Sequence, residues 1–471
     1  ERRCMTFDLA GILAERQGEK YALNKKHLNA QLVRVLKTLG YDVNFTRGEG
    51  PHLYDAAGRR YLDLLSGFGV FAVGRNHPAI AAALRQVLEA QLPGLVQLDV
   101  SLLAGVLAEK LLARLPGLER AFFCNSGAEA VEAAIKFARM ATGRPKIIYC
   151  TNAFHGLTNG ALSLNGTEMF RRGFGPLLPD CVKVPFNDLP ALEAALKGGP
   201  QGCDVAAFIV EPIQGKGVTL PDEAYLAEAA RLCKRHGALF IADEIQTGLG
   251  RTGRFIACEH YGVEPDMVLL AKALSGGYIP VGAVAMKHWI FAKLFDRMDR
   301  ALVHGSTFGK NDMAMAAGIA TLEVLEEEKL VERAAATGAA LLAELQGLAG
   351  KHELVKQVRG KGLMIGLEFG PPKGLKLRAA WHLMDSARRG LFCQMVLIPL
   401  LRDHQVLCQV SGDDNYIIKL LPALTIDEAD RRWIVEAFDQ VIGDCHQIGG
   451  AVWDLGRSLA KHSLKARAGA A

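Results

Sequence analysis

ALFIADEIQTGLGRTGRFIACEHYGVEPDMVLLAKALSGG, residues 238–277, contains two short apolar runs, each closed by charge: ALFIA by Asp243 and Glu244, MVLLA by Lys272. Apolar runs of this length, bounded by glycine, proline or polar clusters, read as fully buried strands. The pattern recurs at AFFCN from 121, KIIYC from 146 and VAAFIVEP from 205, with helical stretches such as AEAVEAAIKFARMAT between them. Strands apolar throughout and alternating with helices imply an α/β fold, a mainly parallel sheet covered on both faces. Ligands of such sheets sit beyond the carboxyl ends of the strands, so the polar residues just after each run are the first to inspect.

Outward from this centre the pattern changes twice. Residues 24–39, NKKHLNAQLVRVLKTL, place Leu28, Leu32, Val35 and Leu36 on one face at helical spacing, and Gly40 stops them, which predicts an amphipathic entry helix. HLYDAAGRRYLDLL predicts two short strands about an Asp-to-Gly turn. A long helical stretch near 313–349 leads into a second alternation, including GLMIGLEF and YIIKLLPAL, that suits a smaller α+β domain. The expected division is 1–76 (entry helix and hairpin, part of the small domain), 77–325 (large domain), 326–445 (small domain) and 446–471 (basic tail). That tail carries Val452, Leu455 and Leu459 at helical spacing among Arg457, Lys461, Lys465 and Arg467. It is expected to be solvated and frayed. A membrane-surface helix is the weaker alternative, with Gly456 inside the pattern counting against it.

Composition excludes more than it selects. Half of the 471 residues are apolar, and the formal charge of +5, from 55 basic and 50 acidic residues, is small for a nucleic-acid binder. The ten cysteines form no CxxC pair, so neither a zinc site nor a disulfide framework is indicated, and no metal is expected. No run reaches the roughly 18 apolar residues of a membrane span. The opening ERRCMTFDLAGILAERQ is too charged for a secretory signal, so the expected compartment is the reducing cytoplasm. The chain begins at Glu1 and not at Met, so the sequence leaves open whether its natural start is included.

Four places follow apolar runs. Asn125-Ser126-Gly127-Ala128-Glu129 leads from AFFC into a helix; small residues and free first-turn amides suit a phosphate, although Ser-Gly before a helix is also an ordinary N-cap. Asp243, with Glu244, suits a metal ligand, a helix cap or the anionic partner of a protonated heterocycle. Lys272 reads as a snorkelling surface lysine or as an amine whose solution pKa of roughly 10.4 is lowered by desolvation, leaving it nucleophilic. His304-Gly305-Ser306-Thr307-Phe308-Gly309 is a polar loop or a set of hydroxyl donors to phosphate. Their order and spacing change the weighing: phosphate cup, carboxylate, lysine 29 positions later, then a second hydroxyl loop.

With these residues in place the chain resembles the fold-type I, class III (omega) aminotransferases over roughly residues 45–440. The resemblance is carried by GFGVFAVGRNHP, FFCNSGAEAVEAAIKFAR, AFHGLTNGALS, FIVEPIQGKGV, the stretch from LFIADEIQTG to PVGAV, and HGSTFGKNDMA. The layout looks most like the putrescine and ornithine aminotransferase branch. The resemblance implies pyridoxal 5'-phosphate as cofactor, a seven-stranded type of mainly parallel sheet with a smaller α+β domain, and ping-pong transfer from an amine donor to a carbonyl acceptor. It implies that Lys272 holds the cofactor as a Schiff base and moves the proton, and that Asp243 keeps the pyridine nitrogen protonated. Gly127 and Ala128 would bind phosphate through their amides with Ser126 nearby, Phe154 would stack on the ring, and Gln246 would bond near the phenolic oxygen. Glu211 matches a carboxylate close to the site, and His155 reads as a packed or hydrogen-bonded histidine ahead of a catalytic one. Thr307, beside Ser306, would reach the phosphate of a neighbouring subunit, which implies a homodimer with shared sites.

Two departures concern the substrate. Lys216 stands where many relatives that use α-amino acids have Glu, and Lys419 stands where they have the arginine that clamps the substrate carboxylate. A lysine offers a point charge and not a two-pronged fork. Phe68 lies where relatives vary a residue over the substrate, and Leu157 replaces a position that is often basic. Candidate substrates therefore run from diamines and amino acids to an amine or aldehyde with an apolar body, including bulky lipid-like or sugar-derived aldehydes. The rival readings are another reaction on the same cofactor, such as an aminomutase or decarboxylase, and a non-catalytic relative. A P-loop or GxSxG elbow, which would mark a nucleotide-binding protein or hydrolase, is not found.

Overall fold

The structure is a computed structural model that describes residues 7–96, 98–198, 202–412, 414–450, 452–457, 459 and 460. At its centre is a seven-stranded sheet in the spatial order Arg120–Cys124, Gly282–Met286, Met267–Leu270, Leu239–Asp243, Val205–Val210, Lys146–Cys150, Cys181–Val184. Gly282–Met286 runs antiparallel to both neighbours, and the other adjacent pairs are parallel. Five of these strands are the apolar runs of the sequence. The two it did not announce are the edge strand CVKV, where Lys183 is exposed, and GAVAM, whose small residues carry little strand signal.

Each face of the sheet is covered. Along Val205–Val210, Phe208 and Val210 enter one core cluster while Ala207 and Ile209 enter the other, as the two-residue period of a strand requires. The helix Gly127–Thr142 buries Ala130, Val131, Ala134, Phe137 and Ala138 on the second side and ends at Gly143, whose φ of 69° is the left-handed cap favoured by glycine.

The entry helix differs from expectation. Residues 24–39 form parts of two helices, Lys20–His27 and Ala30–Thr38, separated at Leu28. Asn29 caps the second one, its Oδ1 accepting from the amides of Gln31 and Leu32. Val33 is the buried residue of that helix, whereas Leu28 (78% exposed), Leu32 and Val35 lie on the surface of the chain. The predicted hairpin is present as His52–Asp55 and Arg60–Asp63, with Phe45–Glu49 on one side and the distant Val406–Leu407 paired parallel on the other.

The long helical stretch is likewise two helices, Asp312–Glu327 and Leu330–Lys351, parted where Lys329 takes a φ of 50°. Beyond them Val355–Lys361, Met364–Phe369, Ile417–Leu420 and Gln409–Ser411 make an antiparallel sheet. The tail corrects a further expectation. Residues 452–457 are helical and not frayed, and Val452, Trp453 and Leu459 are buried. Trp453 Nε1 donates to the Cys445 carbonyl at 2.9 Å. Gly456 permits the contact, since a Cβ there would lie 2.4 Å from Met395 Sδ. The apolar face proposed for a membrane surface is therefore taken up by the protein itself; Lys461, Lys465 and Arg467 lie outside the described residues. Among the described residues no helix is long and apolar enough to cross a membrane.

Candidate active site

Three neighbouring parallel strands deliver ionisable residues at one edge. Asp243 is the last residue of Leu239–Asp243, Glu211 follows Val205–Val210 directly, and Lys272 stands two residues past Met267–Leu270. Lys272 adopts a φ of 42°, a left-handed conformation unusual for a residue with a Cβ. Burial lowers its pKa below the ordinary lysine value, against the opposing pull of the Asp243 and Glu211 carboxylates. The sheet thus sets this amine beside the strand that ends in Asp243, with Glu211 one strand further on.

Asp243 is held on both oxygens. Oδ2 lies 2.6 Å from His155 Nδ1, and Oδ1 accepts from the Ile245 amide at 3.1 Å. A carboxylate can only accept, so Nδ1 is the protonated nitrogen of His155. Burial presses the His155 pKa down, but the bond to Asp243 and the charges of Asp243 and Glu211 outweigh it and the net shift is upward. His155 is therefore the orienting partner of Asp243. Glu211 is buried, which raises its pKa; its Oε1 accepts from the Phe154 amide at 3.0 Å and its Oε2 from the Gly215 amide at 2.8 Å. Phe154 meets Phe170 edge-on, 5.4 Å between centroids.

The phosphate cup is reciprocal. Ser126 Oγ caps the helix by accepting from the Glu129 amide, while Glu129 Oε2 accepts from the Asn125 amide at 2.6 Å. The first-turn amides of Gly127 and Ala128 are left without intrahelical acceptors. Gly127 is tightly enclosed, because a Cβ would lie 2.9 Å from Ile245 Cδ1. Asn125 Nδ2 also donates to Ser306 Oγ at 2.6 Å, which joins the second hydroxyl loop to the cup, while neighbouring Thr307 is exposed.

Of the substrate candidates, Phe68 is 53% exposed with a φ of 63°, and its carbonyl accepts from Gln246 Nε2 at 3.1 Å. Lys419 is buried and donates to the Gly215 carbonyl and to Gln246 Oε1. Lys216 Nζ bonds Thr167 Oγ1 at 2.7 Å, and Leu157 is exposed. Sequence reasoning passed over Glu132. From the middle of the phosphate-cup helix its carboxylate accepts from Thr158 Oγ1 and from the amides of Gly160 and Ala161, fastening the loop after His155. Its helical position carries no signal of this, since the partners lie 26 to 29 residues away. Glu244, paired with Asp243 in the sequence, has a structural task, accepting from the amides of Ala257 and Cys258.

Comparison with known proteins agrees with this geometry. The family model described as Aminotransferase class-III matches residues 37–442. The aminotransferase PigE of Serratia sp. (strain ATCC 39006) is 35% identical over 465 residues, covering 91% of this chain, which spans 54% of that protein's length. Among solved structures, the ornithine aminotransferase of Toxoplasma gondii ME49 superposes with a TM-score of 0.79 at 30% identity, covering 93% of this chain and 97% of the other. An amine transaminase from an uncultivated Pseudomonas species, solved in its PLP-bound form, superposes with a TM-score of 0.72 at 29% identity, covering 85% and 94%. With the strand-end amine, its two acids and the helix-borne cup in the same chain, the protein belongs to the class III aminotransferases, fold-type I enzymes that depend on pyridoxal 5'-phosphate.

Proposed function

We propose that the chain transfers an amino group from an amine or amino-acid donor to an aldehyde or keto-acid acceptor in two half-reactions, with Lys272 as the amine that holds the cofactor and then relays the proton at the substrate carbon. The observation that carries this reading is the Lys272 amine itself, its pKa lowered by burial, set past a strand end beside the strand that bears Asp243, with Glu211 on the next. When bound, pyridoxal phosphate supplies a carbonyl for amine exchange and a ring that delocalises the electrons left on the substrate carbon.

The residues present fit that group. Asp243, oriented by His155, would hold the pyridine nitrogen protonated. The Gly127 and Ala128 amides would take the phosphate; the Ser126 hydroxyl accepts from Glu129 and keeps its own hydrogen for the same oxygens. Ser306 would serve through Asn125, Phe154 would cover the ring, and Gln246 would donate near the phenolic oxygen. Thr307 would complete the cup of a second copy. A homodimer is supported by the exposure of the apolar residues Leu88, Leu98, Val100, Leu102 and Phe308. A division into a large unit and a smaller C-terminal one is supported by the separate central and C-terminal sheets, although the helix Asp312–Glu327 runs through 325/326 and Val452, Trp453 and Leu459, beyond 445/446, pack into the core. Unpaired cysteines among the described residues support the cytoplasm as compartment. Exposed Phe68 and Leu157 at the rim support a substrate with an apolar body, over the diamines and amino acids also considered.

The test separates the half-reactions. Donor amine alone should discharge the visible absorbance of the holoenzyme, and after gel filtration a carbonyl acceptor alone should restore it. Steady turnover of a single substrate with no acceptor would instead identify a decarboxylase or aminomutase.

A further inference from the structure

Lys419 lies in the strand Ile417–Leu420 with 5% of its surface exposed. A lysine so placed either awaits an outside anion or is occupied by acceptors of its own chain. Here the acceptors are present: Nζ donates to the Gly215 carbonyl at 2.8 Å and to Gln246 Oε1 at 3.4 Å. The other side of Gly215 is bonded to Glu211, and a Cβ on it would lie 2.5 Å from Gln246 Oε1 and 3.1 Å from Glu211 Oε2. Only glycine admits two side chains this close to its backbone. Gln246 continues the chain through Nε2 to the Phe68 carbonyl. One network thus runs from the Phe154 amide through Glu211, Gly215, Lys419 and Gln246 to Phe68.

An ammonium group only donates, so the amide end of Gln246 that faces it must be the oxygen, and the NH2 end must turn the other way. We infer that Lys419 is a positioning residue that orients the Gln246 amide and holds Gly215 against Glu211, and is not a clamp for the substrate carboxylate. The inference rests on the pyridoxal-phosphate reading and deepens it: with this cation already engaged, amines and aldehydes are selected by the apolar rim at Phe68 and Leu157, and a carboxylate is not required. Burial and the repulsion of Lys272 bring Lys419 down to about 8, with Glu211 opposing, so it carries its charge at neutral pH.

Lys419→Met keeps the chain length and removes the donors. In the holoenzyme, kcat should fall about tenfold with pyruvate and with propanal alike, leaving the ratio of their KM values unchanged. The pH midpoint of the visible absorbance should move upward, because a buried cation that repels a proton at Lys272 is gone. Adding the change to Gln246→Ala should cost less than the sum of the two single losses, since the two share one network and only the bond to Gly215 is left for Lys419 to lose. A KM increase confined to pyruvate with an unmoved midpoint, or additive effects in the double variant, would overturn the inference. Should the methionine variant not fold by circular dichroism, Lys419→Gln, which retains an N–H donor but not the charge, is expected to move the midpoint upward as methionine does while holding kcat with both acceptors near the wild-type value; a KM increase confined to pyruvate or an unmoved midpoint overturns the inference equally. A wild-type protein with no visible band after reconstitution defeats the cofactor reading, and the inference with it.

Discussion

The floor of the site and its rim are built differently. Lys272, Asp243 and Glu211 come from adjacent strands of one sheet, and the distances that hold the two acids are 2.6 to 3.1 Å. The rim gathers Phe68, Leu157, Lys216 and Lys419 from four separate segments, two of them exposed and two bonded to other parts of the chain. A buried sheet fixes positions by register and packing, while loops carry side chains that change without disturbing the core. On the function proposed above, the difference teaches that the chemistry would reside in the sheet and the choice of substrate in the segments around it.

The largest expected effect breaks the floor. Lys272→Ala should abolish the visible absorbance and lower turnover by at least about a thousandfold. The same amine has a testable pH dependence. Only its neutral form captures a carbonyl, so uptake of pyridoxal phosphate by the apoprotein should accelerate as pH rises through a midpoint below 10.5. A stopped-flow midpoint at or above that value would remove the claim that burial depresses Lys272.

Next comes the support beneath the floor. His155→Leu leaves a buried Asp243 oxygen without its donor, a cost of about 1–3 kcal/mol, so turnover should drop roughly ten- to a hundredfold. Unchanged kcat would show that Asp243 needs no orienting partner. The smallest effect belongs to the rim. Leu157→Arg should favour carboxylated donors by no more than about fivefold, because an exposed ion pair contributes about 1 kcal/mol at most. Measured kcat/KM ratios for an amine and its α-carboxylated counterpart would decide this; a change of several orders of magnitude would place substrate choice in a single residue and erase the contrast.

Much of the floor was legible because buried parallel strands are continuous apolar runs, so Asp243 and Lys272 announce themselves where such runs stop. What failed was local continuity. The 24–39 pattern keeps helical period through Leu28, yet Asn29 caps a new helix there and the apolar face stays outside the chain. The tail read as solvent-exposed because its basic residues are visible in one dimension, whereas the Phe392 and Met395 surface that receives Trp453 and Gly456 lies some sixty residues earlier.

The order of residues alone thus decided five of the seven central strands, the amine, the acid at the sheet edge and the family to which they belong, since each depends on near neighbours and on period. The tertiary structure alone decided that His155 orients Asp243, that Glu132 fastens the loop beyond it, and that Lys419 is engaged by Gly215 and Gln246. These are pairings between residues 26 to 204 positions apart, and a hydrogen bond depends on distances that no local pattern encodes.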